Sequence, residues 1–230
     1  MKRKQGLLFV VSAPSGAGKT SLCRAITDSL EKLTHSVSTT TRKTRSGEID
    51  GRDYYFVGEE RFREMIQAGD FAEWAEVHAN LYGTSRRVLD DMVSKGLDVI
   101  LDIDTQGAKQ IKEKYDAAVF IFIMPPSLDI LEERLRNRKS DREDEIRRRM
   151  QRSREEIKDY AMYDYLIINR DFDRALTELK SIVIAERCRT RHMDTTWIEG
   201  MLNTNKRLKF EEVCNAKSSR RSDFSSHRDE

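Results

Sequence analysis

An α/β fold, with a largely parallel sheet flanked by helices, is what this sequence of 230 residues predicts, and three observations predict it. Apolar runs of strand length recur at 7–12, 99–104, 118–124 and 165–169. Stretches of helix formers with apolar residues at helical spacing alternate with them. The junction between the first strand and the first helix, S-A-P-S-G-A-G-K-T at 12–20, is a glycine-rich turn. Strands that alternate with helices are joined by crossovers, which make the strands parallel and bury them on both faces.

The elements follow in order. The first run, L-L-F-V-V-S, leads through the turn into a helix over 19–32, with Leu22, Ile26, Leu30 and Leu33 at helical spacing. Residues 36–85 break the rhythm: they are rich in Thr, Arg, Gly and Tyr, and alternating patches such as Y-Y-F-V predict a small, partly antiparallel insert. The strand at 99–104 is followed by Gly107 and a helical stretch to Lys114, and the strand A-V-F-I-F-I-M is ended by Pro125 and Pro126. Residues 127–160 form a charged helical region broken near 136–141. A strand at 165–169 and a helix over 174–187 complete the order. From about residue 203 the periodicity is lost, and the ending K-S-S-R-R-S-D-F-S-S-H-R-D-E lacks the apolar surface to order itself, so 203–230 is expected to be a disordered tail.

Charge is abundant but balanced. Lys and Arg number 42 against 40 Asp and Glu, and the net charge of +2 makes no case for a nucleic-acid partner. Only M-K-R-K-Q-G precedes the first apolar run, too little for a signal peptide or a bilayer span, so the expectation is a cytoplasmic chain with no membrane segment. Cys23, Cys188 and Cys214 are odd in number and widely spaced, which argues for free thiols over a disulfide framework or a structural zinc site.

The turn at 12–20 carries the chemistry. A phosphate-binding loop converges successive backbone N–H groups on an anion while a helix N-terminus adds its partial positive charge. The ending Gly-Lys-Thr is that of such a loop, although Ala13 and Pro14 stand where an opening glycine is usual. Ala13, directly before a proline, is biased to an extended conformation that any residue adopts, and Gly16 and Gly18 remain for the left-handed positions. Lys19 then reaches the β and γ phosphates, and the Thr20 hydroxyl holds magnesium. A loop set between an apolar strand and a helix reads as a nucleotide site in a P-loop NTPase-like core. The D-T-Q-G at 104–107 matches the Asp-x-x-Gly of GTPases, but their guanine-reading Asn-Lys-x-Asp is absent, since Asn205-Lys206 is followed by Arg207 and Leu208. Asp102 and Asp104, two apart on a strand, emerge on one face, where they need a cation, or for one of them a role as helix cap.

The motifs S-A-P-S-G-A-G-K-T, S-V-S-T-T-T-R-K-T-R-S-G-E, G-R-D-Y-Y-F-V, F-A-E-W-A-E-V, Y-G-T-S, L-D-I-D-T-Q-G and Y-D-Y-L-I-I-N stand in that order. A chain carrying them resembles the bacterial guanylate kinases over roughly residues 5–200. The resemblance implies transfer of the γ-phosphate of ATP to GMP, and to dGMP, with magnesium as cofactor. It divides the chain into a P-loop core (1–35, 86–126 and 161–202), a GMP-binding insert (36–85) and a helical lid (127–160).

ATP binding falls to Ala13, Pro14, Ser15, Gly16, Ala17, Gly18, Lys19, Thr20 and Asn169, and GMP binding to Ser38, Arg42, Arg45, Tyr54, Glu73, Tyr82, Gly83, Thr84 and Asp104. In that assignment Arg42, Arg45, Tyr54 and Tyr82 grip the phosphate, while Ser38, Glu73 and Thr84 read guanine. Catalysis falls to Lys19, Arg45, Arg138 and Arg149, and the metal to Thr20 and Asp102. Asn137 and Lys139 stand where the family commonly has glycines, which implies a stiffer lid hinge. The partners implied are small nucleotides, with no nucleic acid or membrane, in a monomer or small homo-oligomer. Two other readings stay open: an inactive interaction module of guanylate-kinase shape, and a P-loop enzyme acting on another phosphorylated small molecule.

Overall fold

The computed structural model describes residues 3, 5–77, 79–137 and 143–202. Arg138, Lys139, Cys214 and the 203–230 tail lie outside the described residues. Gln5–Cys188 form one compact unit. Its elements run β1 (Leu8–Ser12), α1 (Lys19–Ser29), β2 (Leu33–His35), β3 (Thr39–Thr40), β4 (Tyr55–Phe56), α2 (Glu59–Gln67), β5 (Phe71–Val77), β6 (Asn80–Ser85) and α3 (Arg86–Ser94). They continue as β7 (Asp98–Asp102), α4 (Thr105–Lys114), β8 (Val119–Met124), α5 (Leu128–Arg136), α6 (Glu143–Lys158), β9 (Tyr165–Ile168) and α7 (Phe172–Arg187). Arg3 and residues 189–202 belong to a separate small unit, with a bridge between Arg3 and Met193 and a short helical turn at Thr190–His192.

The main sheet has the order β2-β7-β1-β8-β9, and every pair in it is parallel. Alternation along each strand supplies two cores. On one side Phe9, Val11, Ile100, Ile121 and Ile123 pack on Leu22 and Ile26 of α1 and on Leu179 and Val183 of α7. On the other, Leu8, Val10, Val99, Leu101 and Phe120 pack on Leu89 of α3 and Ala108 and Ile111 of α4. Each such buried side chain is worth about 1.5–3 kcal/mol relative to exposure. Asp98, fully buried at the start of β7, accepts the Leu7 N–H at 2.8 Å and pairs with Arg187 Nε at 2.7 Å, which ties the sheet to the end of α7.

Two local expectations need correction, and two helices go beyond them. The helix predicted over 19–32 stops at Ser29, because Leu30 is extended and Lys32 takes a φ of 59°, and Leu33 opens β2 instead of extending the helix. The strand predicted over 99–104 ends at Asp102, because Asp104 turns to cap α4. The helices α2 and α3 were not expected.

Residues 36–85 carry a second sheet, β4-β3-β6-β5, with β6 antiparallel to both its neighbours and β3 parallel to β4. Phe62, Phe71 and Leu81 form its small core, the two rings stacked at 4.6 Å. The helices α5 and α6 bury Leu131, Leu135, Ile146 and Met150 against each other, and Arg136 spans them by pairing with Glu132 and Glu143.

In the main sheet β1 lies between β7 and β8, so the chain departs to opposite sides from neighbouring strands. The crevice beyond the carboxyl ends of such strands is where open parallel sheets bind ligands. Among the described residues no helix is long and apolar enough to cross a membrane, and Cys23 and Cys188 are free thiols.

Candidate active site

The helices α3, α4, α5 and α7 each open with a side chain, from Ser85, Asp104, Ser127 and Asp171, that accepts a first-turn N–H. The helix α1 opens with Gly18 and has no such cap, which leaves its first-turn N–H groups for an anion. Gly16 and Gly18 hold φ values of 96° and 95°, the left-handed conformation that a side chain disfavours. A Cβ on Gly18 would also lie 2.4 Å from the Asn169 amide nitrogen. That amide, buried at the end of β9, donates to the Ala17 carbonyl at 2.7 Å, and Arg134 of α5 donates to the Asn169 carbonyl at 3.0 Å. The Ala17 N–H returns to the Pro14 carbonyl at 3.0 Å. Asn169 therefore braces the loop from behind.

Lys19, the first residue of α1, extends across the end of β7. Its Nζ donates to the Ile103 carbonyl at 2.6 Å and pairs with Asp102 at 2.7 Å. Burial alone lowers the lysine pKa, but the adjacent Asp102 carboxylate outweighs it and holds the group above its ordinary value. Burial likewise raises the Asp102 carboxyl, and Lys19, with a hydrogen bond from Thr20, brings it below its ordinary value. Both groups are thus charged at neutral pH. Asp104 separates from Asp102: one of its oxygens caps α4 through the Gly107 N–H at 3.0 Å, and the other pairs with Arg152 of α6 at 3.1 Å.

A cleft of about 620 Å³ opens beside Lys19 and reaches the second sheet, and Ser38, Tyr54, Glu73, Tyr82, Asp102 and Asp104 line it. Glu73 of β5 is only 3% exposed and accepts the Thr84 hydroxyl of β6 at 2.6 Å. Burial pushes its pKa up to about 7, with nearby Asp104 adding to the rise and the Thr84 hydroxyl opposing it. His35, at the end of β2, lines the same cleft, and burial lowers its pKa.

Arg42 lies 5.3 Å from the Tyr54 ring centre and pairs with Glu48 at 2.7 Å. The rings of Tyr54 and Tyr82 stand edge-on at 6.0 Å. Arg45 is exposed and outside the cleft lining, and it is held through its backbone, its N–H donating to the Glu48 carboxylate at 2.8 Å and its carbonyl accepting the Glu48 N–H at 3.1 Å. Gly83 makes room within the second sheet, since a Cβ there would lie 2.8 Å from the Phe71 ring.

A second hollow, about 270 Å³, lies between the loop and α6, where Arg149 donates to the Ser15 hydroxyl at 2.6 Å. Arg152 and Glu156 line it too, paired at 3.0 Å. Of the expected residues, Ala13, Pro14, Ser15, Gly16, Gly18, Lys19, Thr20, Asp104 and Arg149 line this hollow. Lys19, Thr20 and Asp104 also line the larger cleft and so join the two. Sequence reasoning missed Glu48, although it stands in a quoted motif, and Arg152, which nothing distinguishes among the many charges of α6.

Comparison with known proteins identifies the family. The guanylate kinase family model matches residues 5–186. A guanylate kinase of Geobacter metallireducens is 54% identical over 82% of this chain and 93% of its own length. One of Escherichia coli O157:H7 is 52% identical over 80% and 90%. The crystal structure of guanylate kinase from Anaplasma phagocytophilum, 35% identical, superposes with a TM-score of 0.71 over 85% of this chain and 93% of that one. An uncapped helix behind a glycine loop, a lysine-carboxylate pair beside it and a buried glutamate across the cleft thus occur in a chain that belongs to the guanylate kinase family.

Proposed function

We propose that this enzyme transfers the γ-phosphate of ATP to GMP, and to dGMP, giving ADP and GDP in guanine nucleotide recycling. The observation that carries the proposal is a cleft that runs from Lys19 and Thr20 to the buried Glu73, held by Thr84, and that joins the hollow at the glycine loop through Lys19, Thr20 and Asp104. An interaction module that had lost catalysis would have no need of the left-handed glycines and the Lys19–Asp102 pair.

In this reading the loop residues 13–20 hold the ATP phosphates, with Asn169 bracing the loop on the ATP side. Ser38, Glu73, Gly83, Thr84 and Asp104 form the guanine side. An ionised Glu73 accepts both the ring N–H and the exocyclic amine of guanine, a donor pair that adenine lacks. Arg42, Tyr54 and Tyr82 take the GMP phosphate, and Arg45 joins them as the insert of 36–85 closes. The lid of 127–160 brings Arg149, and Arg138, over the transferring group.

No side chain has to act as a base. The attacking phosphate oxygen is already largely ionised, its second pKa being about 6, so positioning and charge neutralisation remain for the protein. Lys19 follows the migrating phosphoryl group, and the arginines offer planar forks that match its equatorial oxygens. Closure of the lid excludes water, which would otherwise compete with GMP as acceptor.

The Thr20 hydroxyl and the Asp102 carboxylate, which both line the cleft beside Lys19, are hard oxygen donors suited to magnesium. Among the described residues no group of three or more His, Cys, Asp or Glu side chains is placed to hold a metal ion. Bound there, magnesium would offset the charge of the transferring phosphates. A coupled assay with ATP and GMP, dGMP, AMP, CMP or UMP tests the proposal. Turnover with GMP and dGMP far above that with AMP, CMP or UMP is expected, and a preference for any other acceptor refutes it.

A further inference from the structure

Gly107 closes the D-T-Q-G motif, and its surroundings are unusual. It sits in the first turn of α4, and a Cβ on it would lie 2.4 Å from Glu73 Oε2 and 3.1 Å from Glu73 Cδ. Its φ is not in the left-handed region, so the backbone does not require glycine. The space does.

The same face of α4 grips β5 on either side of Glu73. Gln110 accepts the Trp74 N–H at 3.2 Å and donates to the Trp74 carbonyl at 2.6 Å, and Lys114 donates to the Ala72 carbonyl at 2.7 Å. Residues three and seven positions beyond Gly107 lie on one stripe of the helix. The backbone around Glu73 is therefore fixed against α4, and a side chain at 107 has to be accommodated mainly by the carboxylate, the next neighbour being the end of the Ile103 side chain at 3.3 Å. A flexible side-chain end yields easily, so the fold would survive while the carboxylate moved.

We infer that Gly107 is a specificity-determining positioning residue, whose missing side chain sets where the Glu73 carboxylate stands and hence how it meets the guanine edge. The inference rests on the reading of Glu73 as the guanine acceptor. It also explains why a carboxylate this buried approaches a helix N-terminus, where the helix dipole favours its ionised form.

The test compares Gly107→Ala, Glu73→Gln, Glu73→Asp and Glu73→Asp/Gly107→Ala in steady-state assays with GMP and with AMP, alongside thermal melting and titration with a fluorescent ATP analogue. Gly107→Ala is expected to raise KM for GMP by about tenfold or more, with little change in the AMP reaction, in ATP-analogue binding or in Tm. Alanine is the better helix former, so Tm is expected to be unchanged or raised. Because aspartate is shorter, the two losses are expected not to add: the double variant binds GMP no worse than Glu73→Asp alone. This double variant also carries the test should Gly107→Ala not fold, a full additional GMP loss in it then overturning the inference.

A silent Gly107→Ala beside a GMP-selective Glu73→Gln overturns the role of Gly107 alone. Equal losses on GMP and AMP in Glu73→Gln overturn the guanine reading beneath it, and the inference with it. A folded Gly107→Ala with lowered Tm or weakened ATP-analogue binding makes the glycine a packing residue, which overturns the inference as well.

Discussion

Replacing Glu73 by glutamine should change how stability depends on pH, and the structure sets the size of the change. Burial raises the Glu73 carboxyl from 4.5 to about 7. Such a group binds more protons folded than unfolded between those two values, so the unliganded protein loses stability as pH climbs from about 4.5 to about 7, and the penalty is complete above that. The rise corresponds to about 3 kcal/mol. Glutamine keeps the shape and carries no titration. Urea denaturation of both proteins without nucleotide, from about pH 5 to about pH 8, should show the variant gaining on the wild type by an amount that approaches this figure. A difference that is flat or falls across the range refutes a raised Glu73. The same titration governs binding. Near pH 6 about one molecule in ten carries the ionised carboxylate, so KM for GMP should drop about tenfold on moving to pH 8. GMP's own phosphate, with its pKa of about 6, contributes to both proteins alike and is removed by the comparison.

Three other outcomes follow from named contacts. Lys19→Met removes the cation paired with Asp102 and should lower kcat at least about a hundredfold with the fold intact, and circular dichroism with a coupled assay checks it. Gly18→Ala forces a side chain to a φ of 95° and into the Asn169 amide, so it should cost about 1–2 kcal/mol and weaken binding of a fluorescent ATP analogue. Asp98→Ala leaves Arg187 and the Leu7 N–H without their shared acceptor, and the urea midpoint should fall by the equivalent of about 3 kcal/mol.

The strands β1, β7 and β8 were legible because each is buried on both faces, so each reads as an apolar run. Short β2 and the helices α2 and α3 escaped because their signals are brief and mixed with charge: α2 buries only Phe62 and α3 only Leu89. At the site the glycine loop was legible as a contiguous motif. The exposure of Arg45, the reach of Arg152 to Asp104 and the cradle that Gly107 forms for Glu73 were not, since each joins or separates groups by packing.

Asp102 and Asp104 show the boundary most clearly. Their spacing placed both on one face, but that inference assumes a strand that continues through both, and the strand ends at Asp102. One carboxylate then meets Lys19 and the other turns to cap α4. The sequence by itself determined the layered α/β sheet and the anion loop, because apolar periodicity and backbone turns are written within a few neighbouring residues. Only the tertiary structure decided which distant side chains share a cleft and which of them are charged within it, because desolvation and pairing depend on segments that the chain brings together from dozens of residues apart.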